Sequence, residues 1–249
     1  MSSGVVIAAA FFTTTVALAQ AWVPPAGTGA ISVVYQTIEN TGHRLTDGSL
    51  LEGYDSLSRG ILFELDYAFT DRFSVSAGVP YIFAKYLGPE PSFSGLPLDE
   101  CRCWNHGWQD FGATARYNVV SGPFAVTPFV SIGIPTHDYN YFGEAVLGRN
   151  LTELRVGLAA GQRLDMISPR FSVQQRYTYA FVERVLGLPN NRSNFSIEPA
   201  FLIGRKLFTR AILAWQRTHG GLRGTDFETA EQFEQFDRLV RDNNFQAGA

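Results

Sequence analysis

Strict alternation of apolar and polar side chains runs through most of this chain after residue 29, and it constrains the fold more than any other feature. In the segment 60–69, apolar residues recur at every second position from Ile61 to Phe69, and Glu64 and Asp66 stand between them. Because successive side chains of a strand point to opposite faces, this pattern predicts strands with two unlike faces. Nine segments share it: 31–35, 60–69, 73–83, 110–119, 125–134, 153–163, 171–181, 195–204 and 211–215.

The connections between these segments alternate between short and long. Tight turns are predicted at 70–72, 121–123, 167–169 and 207–209, and long segments at 40–57, 87–107, 137–151, 183–193 and 218–242. Such alternation is typical of a transmembrane barrel, which has short turns on one rim and long loops on the other. The sequence therefore predicts an all-β, antiparallel up-and-down transmembrane β-barrel. A soluble exported β-sandwich, with its apolar face inward, is the alternative fold.

The polar faces of these strands carry charges that lipid would exclude. In a barrel the same side chains line a hydrated lumen. The predicted lumen-lining residues are Glu64, Asp66, Asp110, Arg116, Glu153, Arg155, Arg163, Arg176 and Glu198. Two interpretations stay open, namely a salt-bridge network that fills a narrow barrel and a polar pathway for a small solute.

Charge and hydropathy exclude two other classes of protein. A net charge of -3 gives no basic surface for nucleic acid. A mean hydropathy of -0.02 excludes a protein with many transmembrane helices. The one long apolar run, 5–19, precedes small residues at Ala17, Ala19 and Ala21, which predicts a signal peptide over 1–21 with cleavage after Ala19 or Ala21. The barrel then occupies 22–249.

Two stretches resemble a known family. FELDYAFTDRFSVSAGVPYIFAKY (63–86) and WQDFGATARYNVVSGPFAVTPFVSIGIPTHDY (108–139) are similar to bacterial outer-membrane proteins of the meta-pathway phenol-degradation type. Four features are shared. They are a strand that carries a glutamate and precedes a turn, a strand that ends in Pro-Tyr, a segment that begins with W-Q-D-F, and a strand that ends with P-T-H-D. The resemblance implies a monomeric barrel in the outer membrane of a Gram-negative bacterium, which passes hydrophobic or aromatic small molecules.

The number of strands raises a question of closure. About ten strands are visible, and the last begins at Asn243, six residues before the chain stops at Ala249. Single-chain outer-membrane barrels close with an even number of strands, so we expect a parent of about 12 strands and a C-terminal truncation of this sequence. An unpaired edge strand in lipid would otherwise leave its backbone polar groups unsatisfied.

The sequence offers few candidate residues for catalysis or for binding a cofactor. The histidines His43, His106, His137 and His219 each fall in a different predicted loop, so no strand offers a general base for a barrel hydrolase. The sequence predicts no enzyme and no cofactor. Cys101, Cys103 and His106 form the only candidate metal site, and the alternatives are a disulfide between the two cysteines or free thiols.

A helix is predicted within the last long loop, over 225–241. Thr225 and Glu228 have the spacing of a capping box, and Phe233, Phe236, Leu239 and Val240 follow at helical spacing. Its apolar stripe either packs on the rim loops or forms a lid for hydrophobic substrates.

Function and partners follow from the barrel. The sequence predicts a channel for small hydrophobic or aromatic molecules, with a non-transporting structural or adhesive barrel as the alternative. Lys85 and Lys206 are the only lysines among 20 basic residues, and arginine suits bidentate contacts to lipopolysaccharide phosphates. The expected partners are therefore outer-membrane lipid, lipopolysaccharide and a small-molecule solute, with no nucleic acid.

Overall fold

Antiparallel strands make up most of the protein. The computed structural model describes residues 5–8, 21–44, 50–87, 92–93, 96–97, 103–142, 145–203, 207–222, 232 and 235–248. The strands are β1 (Val5–Ala8), β2 (Gly29–Arg44), β3 (Leu50–Thr70), β4 (Phe73–Tyr86), β5 (Ser92–Phe93), β6 (Leu96–Pro97), β7 (Asn105–Trp108), β8 (Asp110–Tyr117), β9 (Phe124–Pro135), β10 (Glu153–Arg163), β11 (Phe171–Val182), β12 (Asn190–Ile203), β13 (Leu207–Arg210), β14 (Ile212–Gly220) and β15 (Asn243–Gly248).

One large sheet contains all of these strands except the small β5–β6 hairpin. Its order is β1-β2-β3-β4-β8-β9-β10-β11-β12-β14-β15, with β7 beside β4 and β13 beside β12. Neighbours in the chain are neighbours in the sheet, and the sheet curls into a half-barrel, which confirms the predicted up-and-down architecture. Ten of these strands, β2, β3, β4, β8 to β12, β14 and β15, correspond to the ten predicted. A parent of about 12 strands stays a prediction.

The two faces of the sheet decide between barrel and sandwich. Phe63, Tyr117 and Phe201 lie on the outer face, with 43%, 48% and 39% of their surface exposed. Thr127 and Ser131 lie on the inner face and are buried. A soluble sandwich would bury the apolar face instead. The apolar face points away from the axis, as a barrel requires.

The longest strands extend past the predicted boundaries. Residues of β2 pair with β3 as far as Arg44 and Leu50, so much of the predicted loop 40–57 is a continuation of the hairpin. The predicted turn at 207–209 is likewise wrong, because β13 pairs there with the end of β12. Backbone pairing needs no apolar alternation, so strand ends beyond the apolar band leave no periodic signal.

Three of the four histidines lie on strands, which corrects the prediction that all are in loops. His43 is in β2, His106 in β7 and His219 in β14, whereas His137 follows β9. The reason is again that backbone pairing continues beyond the segments in which apolar and polar residues alternate.

Among the described residues of the last loop, Phe236–Leu239 form the short helix α1, and Gln232 is also helical. Helix α1 ends at Leu239 because Val240 forms a β-bridge with Leu222. The capping residues Thr225 and Glu228 and the apolar Phe233 lie outside the described residues. None of the helical residues in the described part of the chain forms a helix long and apolar enough to span a membrane.

Arg238 holds α1 against the other rim loops. Its side chain donates hydrogen bonds to the carbonyls of Arg149 and Asn150, and its guanidinium stacks over the Tyr141 ring at 4.2 Å. Asn190 Nδ2 in turn donates to the Arg238 carbonyl at 2.7 Å. These contacts support the interpretation that the segment packs on the loops.

Candidate functional site

A cavity of about 830 Å³ occupies the interior of the half-barrel. That volume lies within the range of small-molecule sites, about 300 to 1,000 Å³. Its wall combines charged groups with apolar ones such as Leu62, Pro80 and Phe129. Six of the predicted lumen residues line it: Glu64, Asp66, Asp110, Arg116, Arg155 and Arg176.

Asp66 and Arg116 form an ion pair across the inner face of β4. Asp66 is on β3 and Arg116 on β8, so the pair bridges two strands that are not neighbours. The β4 residues between them, Ser74 and Ser76, are small and buried, which leaves room for the long arginine side chain. The small inner residues of β4 thus allow the charges to meet inside the barrel.

A second cluster surrounds Glu153 at the start of β10. Its carboxylate pairs with Arg155, at 2.7 Å between Nη2 and Oε2, and with Arg192 of β12. The Glu153 side chain is only 6% exposed. Buried charges require such partners, because desolvation otherwise costs on the order of several kcal/mol per ion.

Arg176 lies beside the aromatic part of the wall. Its guanidinium carbon is 4.2 Å from the centre of the Phe129 ring, a cation–π contact. Phe129 fits there because Gly157 has no side chain; a Cβ at that position would collide with the ring. Glu64 lines the same cavity as Arg176.

Glu198 and Arg163, like Glu153, are not among the residues that line the cavity. Glu198 accepts a hydrogen bond from Gln174 Nε2 at 3.0 Å and is 3.7 Å from Arg210. Gln174 and Arg210 are themselves in the cavity wall. Arg163, the last residue of β10, is exposed.

The N-terminal strap, residues 21–25, forms the floor of the cavity at the end with the short turns. The Ala21 carbonyl accepts hydrogen bonds from Thr127 Oγ1 at 2.6 Å and Asn118 Nδ2 at 3.1 Å, and Ala21 N donates to Gln174 Oε1 at 3.3 Å. Ala21 is fully buried.

Further contacts seat the strap. Trp22 Nε1 donates to the Gly122 carbonyl at 2.9 Å, and the indole ring occupies space left by Gly161. The strap residues that face the cavity are Trp22, Val23, Pro24 and Pro25. The strap could not be predicted from the sequence because an irregular segment has neither helical nor strand periodicity.

At the opposite end, Tyr139 joins the cavity to the loops. Its hydroxyl donates to Asp110 and accepts a hydrogen bond from Asn150 N at 3.0 Å. Burial and the Asp110 carboxylate both raise the pKa of Tyr139, so its phenol stays a proton donor at neutral pH. Tyr139 was not predicted, since a lone loop tyrosine carries no pattern.

The candidate metal site gains no support from the described residues. Cys103 is disulfide-bonded, which removes the thiolate that a metal would need. His106 Nδ1 shares a hydrogen bond with Tyr81 Oη at 2.8 Å on the outer face. Cys101 lies outside the described residues, within which no group of three His, Cys, Asp or Glu side chains has metal-binding geometry.

A serine and a histidine do meet on the outer face. Ser193 Oγ and His219 Nε2 are 2.7 Å apart, and Tyr177 Oη is 3.1 Å from the same serine oxygen. A nucleophile–base pair also needs a group that orients the base. In the described part of the chain no carboxylate or amide bonds to His219, and Ser193 is buried.

Comparison with known proteins shows a similarity of fold but none of sequence. No protein-family model matches the chain, and no curated protein is significantly similar in sequence. The fold is similar to the crystal structure of an outer membrane channel from Pseudomonas putida F1, with a TM-score of 0.63 and 15% identity. The match covers 94% of this chain and 85% of that channel. The predicted fold is thereby confirmed, and the family resemblance stays a prediction.

Proposed function

We propose that the protein is an outer-membrane channel for small hydrophobic or aromatic molecules. The observation that carries the proposal is the cavity, which is polar and charged inside a wall whose outer surface is apolar. Such a distribution is stable only where hydrocarbon surrounds the barrel and water enters it. The similarity to an outer membrane channel supports the same function. We further propose that the protein acts as a monomer in a bacterial outer membrane.

The lining of the cavity supports an aromatic solute. Trp22 and Phe129 present ring surface to the cavity, and Arg155 and Arg176 stand beside them. Aromatic rings offer a solute apolar contact, whereas arginine offers stacking and a positive charge. A planar ring that carries an anionic or hydroxyl group fits both features.

The alternative, a non-transporting structural barrel, is favoured by one observation. The strap covers the cavity at the end with the short turns, and the ion pairs of Asp66 and Glu153 occupy part of the interior. A barrel filled in this way can be stable without carrying a solute. Conductance separates the two functions.

Ion currents across planar bilayers test the channel. We expect the protein to conduct benzenesulfonate at least as well as the smaller methanesulfonate, because the rings and arginines favour an aromatic anion. The variant Phe129→Ala should lower the permeability ratio of these anions about two- to fivefold, the loss expected for one aromatic contact. The outer-face variant Phe124→Ala is the matched control and should leave the ratio unchanged. Absence of any current from the folded protein would instead support the structural barrel.

A further inference from the structure

Two cations project from the outer face of the barrel near the rim that carries the long loops. Arg59 on β3 and Lys85 on β4 belong to the outward set of their strands, with Phe63 and Tyr81. Arg59 is paired with Phe83 and Lys85 with Leu57, so the two cations are diagonal neighbours. In the described part of the chain, neither forms an ion pair with a carboxylate.

Both cations lie over the ring of Trp104. The Arg59 guanidinium carbon is 5.2 Å from the centre of the indole ring, and Lys85 Nζ is 5.9 Å from it. Two cations over one ring are held in fixed positions although they repel each other. The cation pair is therefore positioned by the fold and open to an external anion.

An aromatic platform lies beside and below the cation pair. It consists of Phe63, Tyr81, Phe83, His106 and Trp108. Tyr81 is the centre of the group, with its ring 5.0 Å from both Phe83 and Trp108. A hydrogen bond joins Tyr81 Oη and His106 Nδ1 within the platform. The platform is thus suited to contact acyl chains.

The height of the cation pair matches a lipid headgroup. Arg59 lies eleven residues before Thr70, where β3 meets its short turn. At about 3.3 Å per residue and a strand tilt near 45°, this is about 26 Å along the membrane normal, close to the height of the apolar band of an outer-membrane barrel. The cations stand at the upper edge of the band and the aromatic platform stands just inside it.

We propose that Arg59, Lys85 and Trp104, with the aromatic platform below them, bind a phosphorylated lipid of the lipopolysaccharide type. The phosphate contacts the two cations, and the acyl chains lie along the rings. Lipopolysaccharide is the occupant favoured here because the long loops mark the external side of such barrels. The inference depends on the membrane position in the proposed function but not on transport.

Native mass spectrometry of the detergent-solubilised protein tests the site. The probes are diphosphorylated lipid A, dephosphorylated lipid A and phosphatidylglycerol. We expect the wild-type protein to retain the diphosphorylated form preferentially, and Arg59→Ala/Lys85→Ala to bind it about tenfold more weakly, which is 1.4 kcal/mol. The charge-conserving pair Arg59→Lys/Lys85→Arg should keep most of the affinity.

The controls address folding and general charge effects. Arg72→Ala/Arg170→Ala removes two exposed cations at the rim with the short turns and should leave lipid A binding unchanged. Heat-modifiable gel mobility establishes that each variant is folded. Equal binding by wild type and Arg59→Ala/Lys85→Ala, or an equal loss in the control pair, would overturn the proposal. Equal retention of phosphatidylglycerol would overturn the assignment to lipopolysaccharide. Lipid binding is measured without ion currents. A failure of the conductance test would therefore leave the result on lipid binding unaffected.

Discussion

Removal of the N-terminal strap is expected to raise single-channel conductance by about twofold or more, because side chains at the narrow end of the lumen would be replaced by water. The strap supplies the floor of the cavity through Trp22, Val23, Pro24 and Pro25. The variant fuses the signal segment directly to Thr28, so that β2 and the rest of the barrel are retained. Planar-bilayer recordings at fixed salt measure the effect.

A smaller change provides the matching control. Trp22→Phe keeps an apolar ring on the floor but loses the hydrogen bond from Nε1 to the Gly122 carbonyl. It should give a conductance between those of the wild-type protein and the deletion. If the deletion conducts no more than the wild-type protein, the strap is not the constriction and the account of the floor is wrong.

The strap also bears on maturation. Cleavage after Ala19 keeps Ala21, whose carbonyl accepts the bonds from Thr127 and Asn118. Cleavage after Ala21 would remove that residue. Retention of these bonds in the mature protein would require cleavage after Ala19, and the cleavage site stays a prediction.

Replacement of Glu153 by glutamine is expected to lower the free energy of unfolding by about 3 kcal/mol or more, the usual cost of breaking a buried ion pair. The change removes one negative charge that Arg155 and Arg192 share, and both guanidinium groups stay in place. Glutamine has nearly the same shape, so the loss reports charge and not volume. The free energy of unfolding is measured by urea titration of the protein in lipid vesicles, with tryptophan fluorescence as the signal.

Glu183→Gln is the matched control for this variant. Glu183 is exposed, and its carboxylate accepts one hydrogen bond from Thr152 N at 3.0 Å. Its substitution should cost about 1 kcal/mol or less. A loss for Glu153→Gln no larger than that of Glu183→Gln would show that the buried cluster does not stabilise the barrel.

The strands and their two faces could be predicted from the sequence because one physical constraint repeats at every second residue. Along β9, Val130 and Ile132 face outward and Ser131 faces inward, as the alternation predicts. Charged residues such as Glu64 and Arg116 could be placed inside for the same reason, since lipid excludes them.

The partners of these charges could not be predicted. The pairing of Asp66 with Arg116 depends on the register of β3, β4 and β8 and on the curvature that brings β3 toward β8. Neither quantity is encoded in a local pattern. The strap was missed because its positions are fixed by contacts with residues about a hundred positions away, such as Gly122. The contact of Ser193 with His219 was missed because the end of β14 has no apolar alternation.

The orientation of side chains along β9 tests the central claim most directly, because everything else depends on an apolar exterior and a hydrated interior. Nitroxide labels at Val130, Ser131 and Ile132, one at a time in a Cys101→Ser/Cys103→Ser background, report collisions with oxygen and with a water-soluble nickel complex in lipid vesicles. The account predicts that labels at 130 and 132 collide mainly with oxygen, which partitions into lipid, and that the label at 131 collides mainly with nickel. An oxygen maximum at 131, with nickel maxima at 130 and 132, would contradict it.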